Sequence, residues 1–194
     1  VSKPATGGLL LWPLATFGRV IKAVLENDHK ALAATGMEGI MKIVGATHTG
    51  MTTEAFDDYA KTWFSQARHP KTGKPYTEMI FQPMLEMLDY LRSQDFKTYI
   101  VSGGEVEFMR AFAEQVYGIP PEQVIGSSVQ TKYEVRNGVP VIVRLPTLDF
   151  IDDKAGKPVG IHKFIGKRPI AAFGNSDGDF EMLEWTTSAP GARL

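Results

Sequence analysis

From Leu14 onward, apolar side chains recur at helical spacing. Leu14, Phe17, Val20, Ile21, Val24 and Leu25 form one stripe, and Met37, Ile40, Met41 and Val44 form a second. A third helix is predicted from near Thr52, with Glu54 in its first turn and Phe56, Tyr59, Ala60 and Trp63 on one face. No strand pattern interrupts residues 14–66. Residues 67–78 are rich in turn formers and charge and read as a connector. Pro83 suits the first turn of a helix that runs through Leu91 on Met84, Leu85, Met87, Leu88 and Leu91.

The pattern then changes. Lys97–Val101 is a short strand-like run that meets Ser102-Gly103-Gly104, and a helix is predicted over 105–117 with Val106, Met109, Phe112, Ala113 and Val116 inward. Gly118-Ile119-Pro120-Pro121 ends it. Val124–Ser127 is a strand candidate, and Asn137-Gly138 between β-formers predicts a tight hairpin within 132–143. A short helix is expected at Val159–Ile165. Pro169–Phe173 is an apolar strand candidate running into Gly174-Asn175-Ser176-Asp177-Gly178-Asp179, followed by a helical 180–185. Strands whose ends carry ligand-type residues before helices imply an α/β fold: a Rossmann-like parallel-sheet core with its site beyond the carboxyl ends of the strands, a β-hairpin, and a helical block ahead of it.

Composition narrows the classes. The chain has 194 residues, room for a core domain and a small accessory lobe, and 43% hydrophobic with 22% charged residues is ordinary for a soluble globular protein. A net charge of -1 with scattered lysines and arginines argues against nucleic acid as a partner. Without cysteine there are no disulfides, thiolate metal sites or cysteine nucleophiles. No apolar run approaches the ~20 residues of a membrane span. Leu9–Leu14 is too short for a signal peptide, and no small-x-small cleavage pattern follows it. Compartment, cytoplasmic or periplasmic, and oligomeric state are left open.

Three features carry chemistry. Ser102-Gly103-Gly104 lets the backbone turn tightly and bring N–H donors and a hydroxyl to an anion, although a plain β-to-α turn also often contains glycine. Gly174–Asp179 puts two carboxylates and an amide oxygen within five residues, hard donors suited to Mg²⁺; the alternative is a polar turn in which Asp179 caps the next helix. Lys157, before the short helix, could offset phosphoryl charge, or be one more solvated lysine. His29, His48, His69 and His162 show no metal-ligand spacing.

In this order along the chain, the three features resemble the haloacid dehalogenase superfamily, and most of all its phosphoserine-phosphatase-like branch. The resemblance covers about residues 11–194 and divides the chain into an altered or truncated N-terminal segment (1–13), a helical cap (14–80) and an α/β core (81–194). It implies Mg²⁺-dependent hydrolysis of a small phosphorylated substrate through an aspartyl-phosphate. Ser102, Gly103, Gly104 and Lys157 match the phosphate-binding positions, with Ser102 and Lys157 also catalytic. Asn175 and Asp179, with Asp177 as a further candidate, match the metal loop. The family's first motif, Asp-x-Asp-x-Thr/Val, supplies nucleophile and acid/base, and it is not in this sequence. Asp28 and Asp57-Asp58 lie in helical contexts, and Val1–Leu10 stands where that strand should end. Asn175 replaces a metal-binding aspartate of many relatives. The chain also stops at Arg193-Leu194, ahead of an expected final strand. Two readings follow: a phosphohydrolase inactive as written, or a non-catalytic protein that keeps a phosphate or metal pocket.

Overall fold

A computed structural model describes Lys30 and residues 48–194. The first two helical stripes and the 1–13 segment lie outside these residues.

Thr52 opens the first described helix, α1 (Thr53–Gln66), and its hydroxyl oxygen accepts from the Ala55 N–H at 3.1 Å. Phe56 and Ala60 are buried as the stripe predicts, whereas Tyr59 and Trp63 keep 53% and 38% of their surface and lie at the edge of that face. Because one orphan N–H depends on Thr52, Thr52→Ala is expected to lower stability by about 1 kcal/mol. Urea unfolding reads this out, and an unchanged midpoint would count against the cap. After a 3-10 turn at Tyr76–Glu78, α2 (Gln82–Ser93) carries a proline in its first turn, as expected of Pro83.

The sheet has three strands among the described residues, ordered β1-β2-β3: β1 (Ile100–Glu105), β2 (Val124–Arg136) and β3 (Val139–Phe150). Strands β1 and β2 are parallel, with α3 (Val106–Tyr117) between them in sequence; β2 and β3 form an antiparallel hairpin. Asn137 and Gly138 have φ of 51° and 81°, both positive, as a two-residue hairpin turn of matching twist requires. The hairpin is much longer than the short strands the sequence suggests. Alternation along β1 and β2 sends Ile100 and Val124 into one apolar cluster with Val106, Met109 and Ala113 of α3. Val101 and Ile125 point the other way, into a cluster with Ile161 and Met182. These last two residues lie on α4 (Gly156–Ile165) and α5 (Phe180–Thr187). Helices therefore cover both faces of the parallel pair, the layering of an α/β core.

Two boundaries differ from the sequence reading. Strand β1 starts later than Lys97 and continues through the glycines. Ser102 pairs with Gly126 and Glu105 with Ser127, so Gly103 and Gly104 bulge out with no residue opposite. A Cβ on Gly126 would lie 2.7 Å from the Gly104 carbonyl oxygen, so only glycine lets the bulge settle there. The second difference is Pro169–Phe173, which is not a strand. A strand needs a ladder partner, and among the described residues this segment finds only the chain end: Ala172 N–H donates to Leu194 O at 2.8 Å and Leu194 N–H to Ile170 O at 3.1 Å.

Candidate functional site

The three predicted features meet at one place, and Lys157 joins them. It sits in the first turn of α4 and is only 4% exposed, so it is not a surface lysine. Its ammonium donates to the Val101 carbonyl at 2.8 Å, beside Ser102, and lies 3.1 Å from Asp179 Oδ1. A single buried cation thus spans from Val101 of β1 to the loop before α5.

The Gly174–Asp179 loop is built around its last residue. Asp179 Oδ2 accepts from the Asn175 N–H at 3.0 Å, the Ser176 N–H at 3.1 Å and the Ser176 hydroxyl at 3.1 Å. Ser176 and Asp179 form a reciprocal capping box on the Asp177–Asp179 turn. A Cβ on Gly174 would sit 2.5 Å from Asp179 Cβ, so the loop closes only over glycine. Burial alone would raise the Asp179 pKa, but the Asn175 N–H, Lys157 and the Ser176 N–H outweigh it and hold the carboxyl below its usual range. Asn175 and Asp177 are exposed.

The Ser102–Gly104 bulge is folded on itself. The Gly104 N–H faces Ser102 Oγ at 3.2 Å, and the Gly103 carbonyl accepts from the Ser127 hydroxyl at 2.9 Å. The sequence suggests a helix end with open donors directly after the glycines; here α3 is instead capped by Glu105, whose Oε2 accepts from the Phe108 N–H at 2.7 Å. Glu105 thus takes up one of the open N–H groups at the start of α3.

Sequence reasoning missed two residues here. Ser127, fully buried, also accepts from the Asp152 N–H at 3.0 Å, tying the bulge to the start of the α4 loop. Asp152 is itself fully buried, and neither carboxylate oxygen makes a hydrogen bond among the described residues. Burial pushes its pKa up to about 6, with the Lys157 charge and the Ser102 peptide offsetting only part of the rise. Within the Asp152-Asp153-Lys154 run both aspartates look like surface turn residues, and no local signal separates them.

Among the described residues no three His, Cys, Asp or Glu side chains gather as a metal site. Asp179 spends one oxygen on its own loop and the other on Lys157, and Asn175 brings an amide without charge. As placed, Asn175, Asp177 and Asp179 do not make a Mg²⁺ centre by themselves.

Residues 6–184 match the profile of the haloacid dehalogenase-like hydrolases. The chain belongs to this family. Among solved structures, this haloacid dehalogenase-like chain is similar to a conserved functionally unknown protein from Anaerococcus prevotii DSM 20548, with a TM-score of 0.51 and 25% identity. The match covers 70% of this chain and 41% of that one, so the chain spans less than half the length of that relative. Comparison with curated proteins gives no match. No helix among the described residues is long and apolar enough to cross a membrane.

Proposed function

We propose that this haloacid dehalogenase-like chain grips the phosphoryl group of a small phosphomonoester, in the manner of the phosphoserine-phosphatase-like branch. The observation that carries the proposal is the buried Lys157 ammonium, held between Val101 O of β1 and Asp179. A cation withdrawn from water and fixed by two acceptors is poorly hydrated, and an anion arriving beside it gains more than it would at the surface. Ser102 is the next residue along β1. Its hydroxyl rotates to donate to an entering phosphoryl oxygen, and the Gly104 N–H turns from Ser102 Oγ to the same group.

Positioning and charge offset are what these residues supply. In complete relatives a carboxylate attacks the phosphorus and water hydrolyses the acyl-phosphate. No Asp-x-Asp-x-Thr/Val stands in this sequence to do so, and the reading is therefore phosphate binding without covalent turnover. Mg²⁺ would enter only as a companion of that motif, with Asn175 and Asp179 the residues that would lend it oxygens, and no step here runs through it. The helical block over 14–80, of which α1 and the 76–78 turn are described, is proposed as the cap over the substrate.

Calorimetric titration with inorganic phosphate tests the reading. Binding is expected in the wild type and is expected to weaken at least about tenfold in Lys157→Met, the loss of one charge-assisted contact. Equal affinities would end the assignment of Lys157. Hydrolysis of an aryl phosphate with added Mg²⁺ is expected to stay at the buffer rate. Turnover that Ser102→Ala abolishes would overturn the binding-only part and restore a complete phosphatase.

A further inference from the structure

One buried charge lies outside this site and has work to do at its border. Arg144 is on β3, 1% exposed, with its guanidinium 3.9 Å from the centre of the Phe56 ring of α1. Its Nη1 lies 3.1 Å from Glu105 Oε1 and in direct contact with Glu107 Oε2. Glu105 and Glu107 flank the first residue of α3, and Glu105 follows the Ser102–Gly104 bulge without a residue between. The Arg144 backbone also holds the approach to α1, accepting from the Gly50 N–H at 2.9 Å and donating to Met51 O at 3.0 Å.

This arrangement raises a question of charge. The carboxylate nearest in sequence to the proposed phosphate loop is the α3 cap, and its side chain is only 9% exposed. A buried anion beside an anion site weakens that site, and an unpartnered buried carboxylate would leave its pocket for water. Arg144 removes both problems together: it compensates Glu105 and holds it in capping position.

We propose that Arg144 is a positioning residue for the phosphate loop, neutralising the Glu105 cap so that the Ser102–Gly104 bulge stays ordered and receptive to an anion. Through Phe56 the same guanidinium ties that state to the seating of α1. The role in anion binding rests on the phosphate reading above; the role in ordering the bulge does not.

Hydrogen exchange and phosphate titration on the full chain test both parts. In Arg144→Met, which keeps most of the packing stem, amides over 102–109 are expected to exchange about tenfold faster, the scale of one uncompensated charge at short range. Phosphate affinity is expected to fall by a similar factor. Adding Glu105→Gln and Glu107→Gln to Arg144→Met removes both carboxylates that Arg144 faces, and both readouts are expected to return to within about threefold of wild type on the same charge argument. A packing role for Arg144 would not be rescued by changes at Glu105 and Glu107, so failure of the triple variant to recover overturns the proposal. Arg144→Lys keeps the charge but not the planar fork over Phe56, and is expected to fall between wild type and Arg144→Met; a loss as large as that of Arg144→Met has the same overturning force, including where the Met variant does not fold. If wild-type protein binds no phosphate, the phosphate reading fails, and the exchange data still decide whether Arg144 orders the bulge through Glu105.

Discussion

Asp152→Asn is expected to change how stability depends on pH more than any other single substitution in the core. Burial holds the Asp152 carboxyl at about 6 against an ordinary 3.8, with Lys157 opposing only part of that shift. Between these two values the folded chain keeps a proton that the unfolded chain has released. Stability therefore falls as pH rises through the window and levels off above the folded pKa. The gap corresponds to about 3 kcal/mol held at low pH and lost by neutrality. Asparagine has nearly the same shape and no charge. Its amide still lacks partners in this pocket, which adds a constant cost of about 1–3 kcal/mol at every pH. The informative quantity is the difference between variant and wild type in urea unfolding across pH 4 to 7. That difference is expected to move in favour of asparagine by about 3 kcal/mol over the window, because all other titrating groups are common to both proteins. Parallel profiles would show that Asp152 keeps its ordinary pKa in the folded chain.

Asp152 also marks where the sequence stops being informative. Periodicity identifies α1 and α3 because one face of each meets a core; α2 follows the same pattern but buries no residue among the described ones, with Met84 and Met87 exposed and Leu88 packed against the core, and the Thr52 cap, Pro83 and Asn137-Gly138 are local devices that act wherever they occur. The order of Ser102, Lys157 and Asp179 along the chain is legible for the same reason: each stands at the junction of a core strand or loop with a helix. Nothing local says that Asp152 is buried and Asp153 less so, since that depends on Ser127 reaching across from β2. Arg144 reads as a hairpin residue, and its burial follows from Phe56 and Glu105 arriving from other elements. The reading of Pro169–Phe173 as a strand fails in a related way. Strand propensity describes what a segment tolerates, while the ladder is a property of its neighbours.

The second large effect is expected at Asp179, and it separates the two halves of the phosphate reading. In Asp179→Asn the amide oxygen can still accept from the Asn175 and Ser176 N–H groups that now serve Oδ2. The amide nitrogen then replaces Oδ1 and meets the Lys157 ammonium, a donor against a donor. Lys157 is left buried with Val101 O as its acceptor and without its contact ion-pair partner. Breaking a buried pair by removing one partner costs about 3–5 kcal/mol, so a melting temperature lower by about 10 °C is expected. The charge left behind is also the charge proposed to hold phosphate. Millimolar phosphate is therefore expected to stabilise Asp179→Asn more than it stabilises the wild type, because in the variant the Asp179 carboxylate no longer competes for Lys157. Lys157→Met provides the contrast: it strands Asp179 instead, it is destabilised on the same scale, and phosphate is expected to restore nothing. If phosphate raised the melting temperatures of both variants equally, the anion would be bound elsewhere, and the link between the buried Lys157–Asp179 pair and phosphate would be lost. If it raised neither while both were destabilised, the pair would be an element of the fold alone, holding α4 and the 174–179 loop against β1.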